Sequence, residues 1–156
     1  MSTLLRVSAL PAADLDRIRA AGVDDFGNPL VILVNQDQGG TPLRCCLREA
    51  AVGERVALLA WRPAALPGPY AEVGPVFVHA ETCPGWTGHG YPEGFRHRRQ
   101  LLRAYNTQGH AVDNQIIEGA DAENSLAALL GRADVAYVHS RNVLAGCYMF
   151  HVAKTS

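Results

Sequence analysis

Side chains that could carry chemistry concentrate in three short segments of the chain, 41–50, 68–80 and 137–150. The first contains the adjacent pair Cys45 and Cys46, and Cys83 follows closely after the second. Thiols and imidazoles serve as nucleophiles, acid–base groups and metal ligands. Such groups act where a rigid scaffold holds them at strand ends and loops, so these segments mark the expected location of a site.

The leading hypothesis from these residues is a pocket for a small anionic molecule, in an enzyme or a binding protein. Its walls would be the loops 62–75 and 81–95 and the turn 141–146, and no cofactor is expected. A planar guanidinium beside a loop suits a carboxylate or phosphate ligand. The candidate catalytic residues are His79, Cys46 and Glu72, and the candidate ligand-binding residues are Arg141, Asn142, Arg44 and Tyr70.

A metal site or a thiol-redox centre is the second hypothesis. The chain has no C-x₂-C pair and no H-E-x-x-H motif, which are the usual signatures of zinc. Scattered ligands can still converge in a folded chain. Zinc or another transition metal would then be bound by His79, Cys83 and Cys45.

The two adjacent cysteines are predicted to lie in different environments. The stretch LRCCL (43–47) is predicted as a short strand, and neighbouring side chains on a strand point to opposite faces. Cys45 and Cys46 are therefore not expected to share one site. One would be buried and the other would face a loop, unless Arg44 or Arg48 activates one of them as a thiolate.

Charge patterning disfavours a nucleic-acid partner. The run FRHRRQLLR (95–103) holds four arginines, but the chain has a formal net charge of −1 and no recognition motif. The run is typical of a solvated turn or of the rim of an anion pocket. A third hypothesis is a non-catalytic interaction module that forms a homodimer through the aromatic loop 86–95.

The elements that must position these groups follow from the hydrophobic pattern. Helices are predicted at 11–22, where Leu15 and Ile18 share a face, and at 121–131. The predicted strands are 4–10, 30–35, 43–47, 54–61, 76–80, 100–106, 110–119, 135–140 and 147–154. This order predicts an α+β fold in one domain (1–156), with two main helices and a largely antiparallel or mixed sheet of about six to eight strands.

The amino-terminal residues and the hydropathy pattern favour a cytoplasmic protein. The first residues do not form a charged leader followed by an apolar run. No window approaches about 18 consecutive apolar residues, so a membrane span is not expected. The four cysteines are then expected to be reduced.

Three longer strings carry a family resemblance: GTPLRCCLREA (40–50), GPYAEVGPVFVHAETCP (68–84) and HSRNVLAGCYMF (139–150). They resemble bacterial proteins of the domain of unknown function 1203 family, and the similarity extends over nearly the whole chain. Ser140 stands where an apolar residue is expected. The resemblance implies a small, single-domain, cytoplasmic bacterial protein, and it implies no particular activity, cofactor or catalytic residue.

Overall fold

The strands of the chain form two five-stranded sheets, where the sequence predicted a single sheet of six to eight strands. The computed structural model describes residues 5–64 and 66–155, so the start of the predicted first strand at Leu4 lies outside the described residues. The first sheet has the order β1 (Leu5–Ser8), β10 (Tyr148–Lys154), β9 (Tyr137–Asn142), β7 (Arg99–Tyr105), β8 (Ala111–Glu118). The second has the order β2 (Val31–Val34), β5 (Arg55–Trp61), β6 (Gly74–His79), β3 (Pro42–Leu43), β4 (Arg48–Glu49).

The pairing is almost entirely antiparallel, as predicted. Among the described strands, only β3 and β6 run parallel, so the second sheet is mixed. The predicted strands 100–106 and 110–119 correspond to β7 and β8, which pair in antiparallel register as a hairpin. Neither sheet closes on itself.

Each sheet is covered by one of the two predicted helices, α1 (Ala12–Ala21) and α2 (Ala122–Leu130). Leu15 and Ile18 of α1 are buried in the core of the second sheet. The helix ends at Gly22, whose φ of 71° is a left-handed conformation that glycine adopts without strain. No helix among the described residues has the length and apolar character needed to cross a membrane.

The second helix covers the first sheet. Leu126, Leu129 and Leu130 are buried in a core that they share with strand residues such as Leu102 and Phe150. Each sheet therefore has its own helix and its own core. Functional groups can lie between the two sheets.

The segment predicted as the strand LRCCL is a turn, and that prediction is wrong. Residues 44–47 reverse the chain between the two-residue strands β3 and β4. Leu47 has a φ of 58°, a left-handed conformation that costs a residue with a Cβ about 1 kcal/mol or more. Its side chain is 1% exposed, so burial in the core offsets this cost.

The turn predicted at 141–146 also begins later than expected. Arg141 and Asn142 are the last residues of β9, where the sequence predicted that they would occupy the turn. The Asn142 side-chain oxygen accepts hydrogen bonds from the amides of Leu144 and Ala145. This bonding closes the connection to β10, so Asn142 shapes the turn from the strand end.

Candidate metal centre

Four potential metal ligands from two separate parts of the second sheet meet at one point. They are Cys45, Cys46, His79 and Cys83, here called the cysteine–histidine cluster, and their ligand atoms all lie within 4.8 Å of one another. The cluster contains all three residues of the predicted metal set, and the structure adds Cys46. It lies at the edge of a core, because Cys45 and Cys83 are 3% and 7% exposed.

The parallel pairing of β3 with β6 explains why the cluster forms. Leu43 is in register with Phe77, and the amide of Arg44 donates to the carbonyl of Phe77 at 2.9 Å. Cys45 lies two residues after Leu43, and His79 lies two residues after Phe77. The two residues are therefore side by side. The amide of His79 donates a hydrogen bond to the Cys45 sulfur at 3.3 Å.

The turn between β3 and β4 brings the second cysteine to the same side. The expectation that Cys45 and Cys46 face opposite directions is wrong, because the alternation of side chains holds only on a strand. In the turn their sulfurs are 3.9 Å apart. Both also approach the Nδ1 atom of His79, at 3.6 Å from Cys45 and 3.8 Å from Cys46.

These distances match the edges of a metal-centred tetrahedron. Zinc binds thiolate sulfur at about 2.3 Å and imidazole nitrogen at about 2.0 Å. Tetrahedral angles then place two sulfurs about 3.8 Å apart, and a sulfur and a nitrogen about 3.5 Å apart. The observed sulfur–sulfur separation of 3.9 Å and sulfur–nitrogen separations of 3.6 and 3.8 Å lie close to these values.

The thiols of the cluster have opposite pKa shifts. The Cys46 thiol donates a hydrogen bond that lowers the pKa of Cys45 to about 5, and the His79 amide acts in the same direction. The pKa of Cys46 is raised because its proton is the one held in that bond. Burial raises the pKa of Cys83. Cys45 is therefore the thiol of the cluster that ionises most readily.

A second layer of charged groups holds the imidazole. Its Nδ1 atom faces the sulfurs, and Nε2 lies 2.9 Å from a carboxylate oxygen of Glu54 and 3.1 Å from Nη2 of Arg48. An ionised carboxylate can only accept, so the contact with Glu54 favours the tautomer with the proton on Nε2. Arg48 binds that carboxylate through both guanidinium nitrogens, at 2.8 and 2.9 Å. This contact lowers the pKa of Glu54 and keeps it ionised. A histidine fixed by a carboxylate in this way is typical of metal-ligating histidines.

Sequence reasoning missed Glu54, although a usable signal was present. Residues 54–61 and 76–80 were predicted as consecutive strands. If such strands pair antiparallel, the start of one lies beside the end of the other. The structure shows this arrangement: Val56 is in register with His79, which places Glu54 against the imidazole.

Glu72 and Arg141 lie apart from the cluster. They line a cleft of about 230 Å³ beside Gly74, at the start of β6, whereas His79 ends that strand. Strand β6 extends over roughly 16 Å. The structure therefore brings His79 together with Cys46, and Glu72 together with Arg141, but it does not bring the two pairs to one place.

The candidate ligand-binding residues Arg44 and Tyr70 do not lie together at one site. Arg44 is 1% exposed, and its side chain donates to Pro42 and Tyr148 carbonyls and to the Cys147 sulfur. Tyr70 is exposed and meets the ring of Tyr105 edge-on.

The fold and the cluster define a two-sheet α+β protein in which the ligand atoms of three cysteines and one histidine lie within 4.8 Å of one another. The chain belongs to the family described as "Protein of unknown function (DUF1203)", whose model matches residues 40–154. This confirms the resemblance found in the sequence, and the matched range contains the whole cluster. No curated protein and no solved structure matches the chain.

Proposed function

We propose that the protein binds one zinc ion through Cys45, Cys46, His79 and Cys83, as three thiolates and one imidazole. The observation that carries the proposal is the convergence of four ligand atoms within 4.8 Å of one another. The three separations among Cys45, Cys46 and His79 are close to the edges of a zinc tetrahedron. Thiolates and imidazole are soft to borderline ligands, which select zinc over the hard cations magnesium and calcium.

Four protein ligands fill a tetrahedral coordination sphere, so this zinc has a structural role. A catalytic zinc has three protein ligands and keeps one position open for water or substrate. The ion would join the β3–β4 turn to the end of β6 and to Cys83 in the loop that follows. Three thiolates and a neutral imidazole leave the zinc centre with one net negative charge. The guanidinium of Arg48 also lies 3.1 Å from Nε2 of His79, but its charge is already paired with Glu54.

Metal analysis of protein purified without a histidine tag tests the proposal. We expect one zinc per chain by inductively coupled plasma mass spectrometry, and loss of the metal in Cys46→Ser and Cys83→Ser. Cys147→Ser is the matched control, since Cys147 lies outside the cluster and a serine hydroxyl can still accept the hydrogen bond that Arg44 donates to the Cys147 sulfur. This variant should retain the metal.

Cobalt provides a second measurement that does not depend on the folding of the variants. Cobalt(II) added to metal-free wild-type protein should give the strong visible absorption of a tetrahedral thiolate complex, and zinc should displace it. If the wild-type chain copurifies with no zinc and binds neither ion, the proposal is wrong.

A second candidate function is the binding of a small anionic molecule in the cleft beside Gly74. It is favoured by Arg141, whose side chain is only 10% exposed and lines that cleft. Calorimetric titration with small carboxylates tests this function. We expect binding that weakens in Arg141→Gln, and the absence of any binding would contradict it.

A further inference from the structure

The cleft continues along an aromatic face of the first sheet. Tyr137, His139 and Arg141 alternate along β9 and therefore point to the same side. Tyr105 and Arg103 of β7 lie opposite Tyr137 and His139. The other side of the sheet packs on α2, so this row faces the second sheet.

A larger cavity of about 370 Å³ lies against the aromatic part of this row. It shares Trp61, Pro63 and Tyr148 with the smaller cleft that contains Arg141, so the two spaces lie side by side against the same side chains. The volume is in the range of sites that enclose small organic molecules.

One wall of the larger cavity consists of aromatic and imidazole rings, and the remaining lining is largely aliphatic apart from Arg62. The ring of His139 lies 5.0 Å from that of Tyr148 and 5.2 Å from that of His151, and Tyr137 stacks on His151 at 5.1 Å. Burial lowers the pKa of His139 to about 3 and also lowers that of His151. Both imidazoles are therefore uncharged near neutral pH. They contact each other through Nε2 of His139 and Nδ1 of His151 at 3.2 Å, so they add ring surface but no charge to this wall.

At the other end, one carboxylate of the chain lies between two guanidinium groups. Glu72 is 2.8 Å from Arg141 and 3.8 Å from Arg103, and its side chain is 50% exposed. Arg141 is held in place by its bond to the carbonyl of Gly146. Two positive charges thus face one negative charge that belongs to a half-exposed loop residue.

We propose that this cleft binds a planar aromatic carboxylate, with its ring in the cavity beside His139 and Tyr148 and its carboxylate on Arg141 in place of Glu72. Along β9, Arg141 is two residues from His139, or about 7 Å. This separation suits a carboxylate attached directly, or through one carbon, to a one- or two-ring aromatic system. The inference rests on the second candidate function, and it is independent of the zinc centre.

Isothermal titration calorimetry with three matched probes tests the inference. The probes are 2-naphthoate, its uncharged analogue 2-naphthamide, and the non-aromatic cyclohexanecarboxylate. For wild-type protein we expect 2-naphthoate to bind at least about tenfold more tightly than either of the others, because only it has both the charge and the ring.

Two variants test the displacement of Glu72. Glu72→Gln should bind 2-naphthoate about fivefold more tightly, because a competing partly exposed ion pair is removed. Arg141→Gln should bind it at least about tenfold more weakly. Glu81→Gln, which removes an exposed carboxylate paired with Arg55, is the matched control and should leave the affinity unchanged.

Each of the alternative results would contradict a specific part of the inference. Equal binding of naphthoate and naphthamide would show that Arg141 does not recognise the charge, and an unchanged affinity in Glu72→Gln would show that Glu72 is not displaced. Equal binding of cyclohexanecarboxylate would reject the aromatic class while leaving the second candidate function intact. If no carboxylate binds to wild type or Glu72→Gln, both that function and this inference fail, whether or not Arg141→Gln folds.

Discussion

His79 and Glu54 form the link between the cysteine–histidine cluster and the charged surface around it, with Nε2 of the imidazole 2.9 Å from the carboxylate. The carboxylate fixes the tautomer that presents Nδ1 to the sulfurs. Its own position is set by the two bonds from Arg48 and by the amide of Ala51. The orientation of the imidazole therefore depends on Glu54, which is not one of the four proposed ligands.

We expect Glu54→Ala to weaken zinc binding by about 10- to 100-fold, because the imidazole loses its orienting acceptor. Competition with a chromophoric chelator measures the affinity. Glu81→Ala removes an exposed carboxylate paired with Arg55 and serves as the control with wild-type affinity. Equal affinities for the two variants would show that Glu54 does not support the ligand.

Removal of zinc should both lower the stability of the fold and make the cysteine thiols reactive. With the ion in place, three of the four cysteines are ligands, so a thiol reagent should label Cys147 alone in native protein. After chelation, three more thiols per chain should react, and the melting temperature should fall by about 10 °C or more.

Peptide mapping by mass spectrometry identifies the labelled cysteines. The Cys147→Ser variant should show one thiol fewer in both states and the same fall in melting temperature. Labelling of Cys45, Cys46 or Cys83 at the same rate before and after chelation would contradict the proposed coordination.

The sequence identified three of the four cluster residues, and the fourth was excluded for a physical reason. Cys46 was assigned to a strand, where it must point away from Cys45. The conformation that turns it back depends on Leu47, a left-handed residue that is not glycine, and such a residue leaves no signal in the sequence. The one indication of a tight hairpin was the short distance along the sequence from Pro42 to Gly53. A strand, a turn and a second strand have to fit between these two residues.

Local elements were predictable, whereas the pairing of distant strands was not. The helix with Leu15 and Ile18, its end at Gly22 and the β7–β8 hairpin follow from short-range patterns. The parallel contact of Leu43 with Phe77 joins segments that are far apart in the chain, and no periodicity encodes it. That contact adds β3 and β4 to the second sheet and places Cys45 beside His79.

The buried imidazole of His139 should make the protein less stable in acid. Its pKa is lowered to about 3 by burial, whereas an unfolded chain has the ordinary value of about 6.5. The unfolded state therefore binds more protons than the folded state between these values. Stability is fully present above about pH 6.5 and is lost as the pH falls toward 3.

From pH 7 to pH 4.5, this group alone should lower the free energy of unfolding by about 2 kcal/mol. Urea denaturation at each pH measures the change. His139→Phe keeps a ring at this position but cannot titrate, so its stability should depend less on pH by that amount. His89→Gln, at an exposed position, should have the same pH dependence as wild type, and a wild-type dependence in His139→Phe would contradict the prediction.

Arg44 should be intolerant even of lysine, because its buried guanidinium makes three bonds in different directions. It donates to the carbonyl of Tyr148 at 2.7 Å, to that of Pro42 at 2.5 Å and to the sulfur of Cys147 at 3.0 Å. It thereby joins the turn that carries two of the proposed zinc ligands to the start of β10. A lysine ammonium cannot reproduce this planar arrangement of donors.

We expect Arg44→Lys to lower the free energy of unfolding by about 2 to 4 kcal/mol, because buried acceptors lose their partners and a buried charge is left poorly satisfied. Urea denaturation of the zinc-loaded protein measures the loss. Arg55→Lys, in an exposed ion pair with Glu81, should change stability by about 0.5 kcal/mol or less. If the two variants are equally stable, the bonds of Arg44 do not hold the turn to β10.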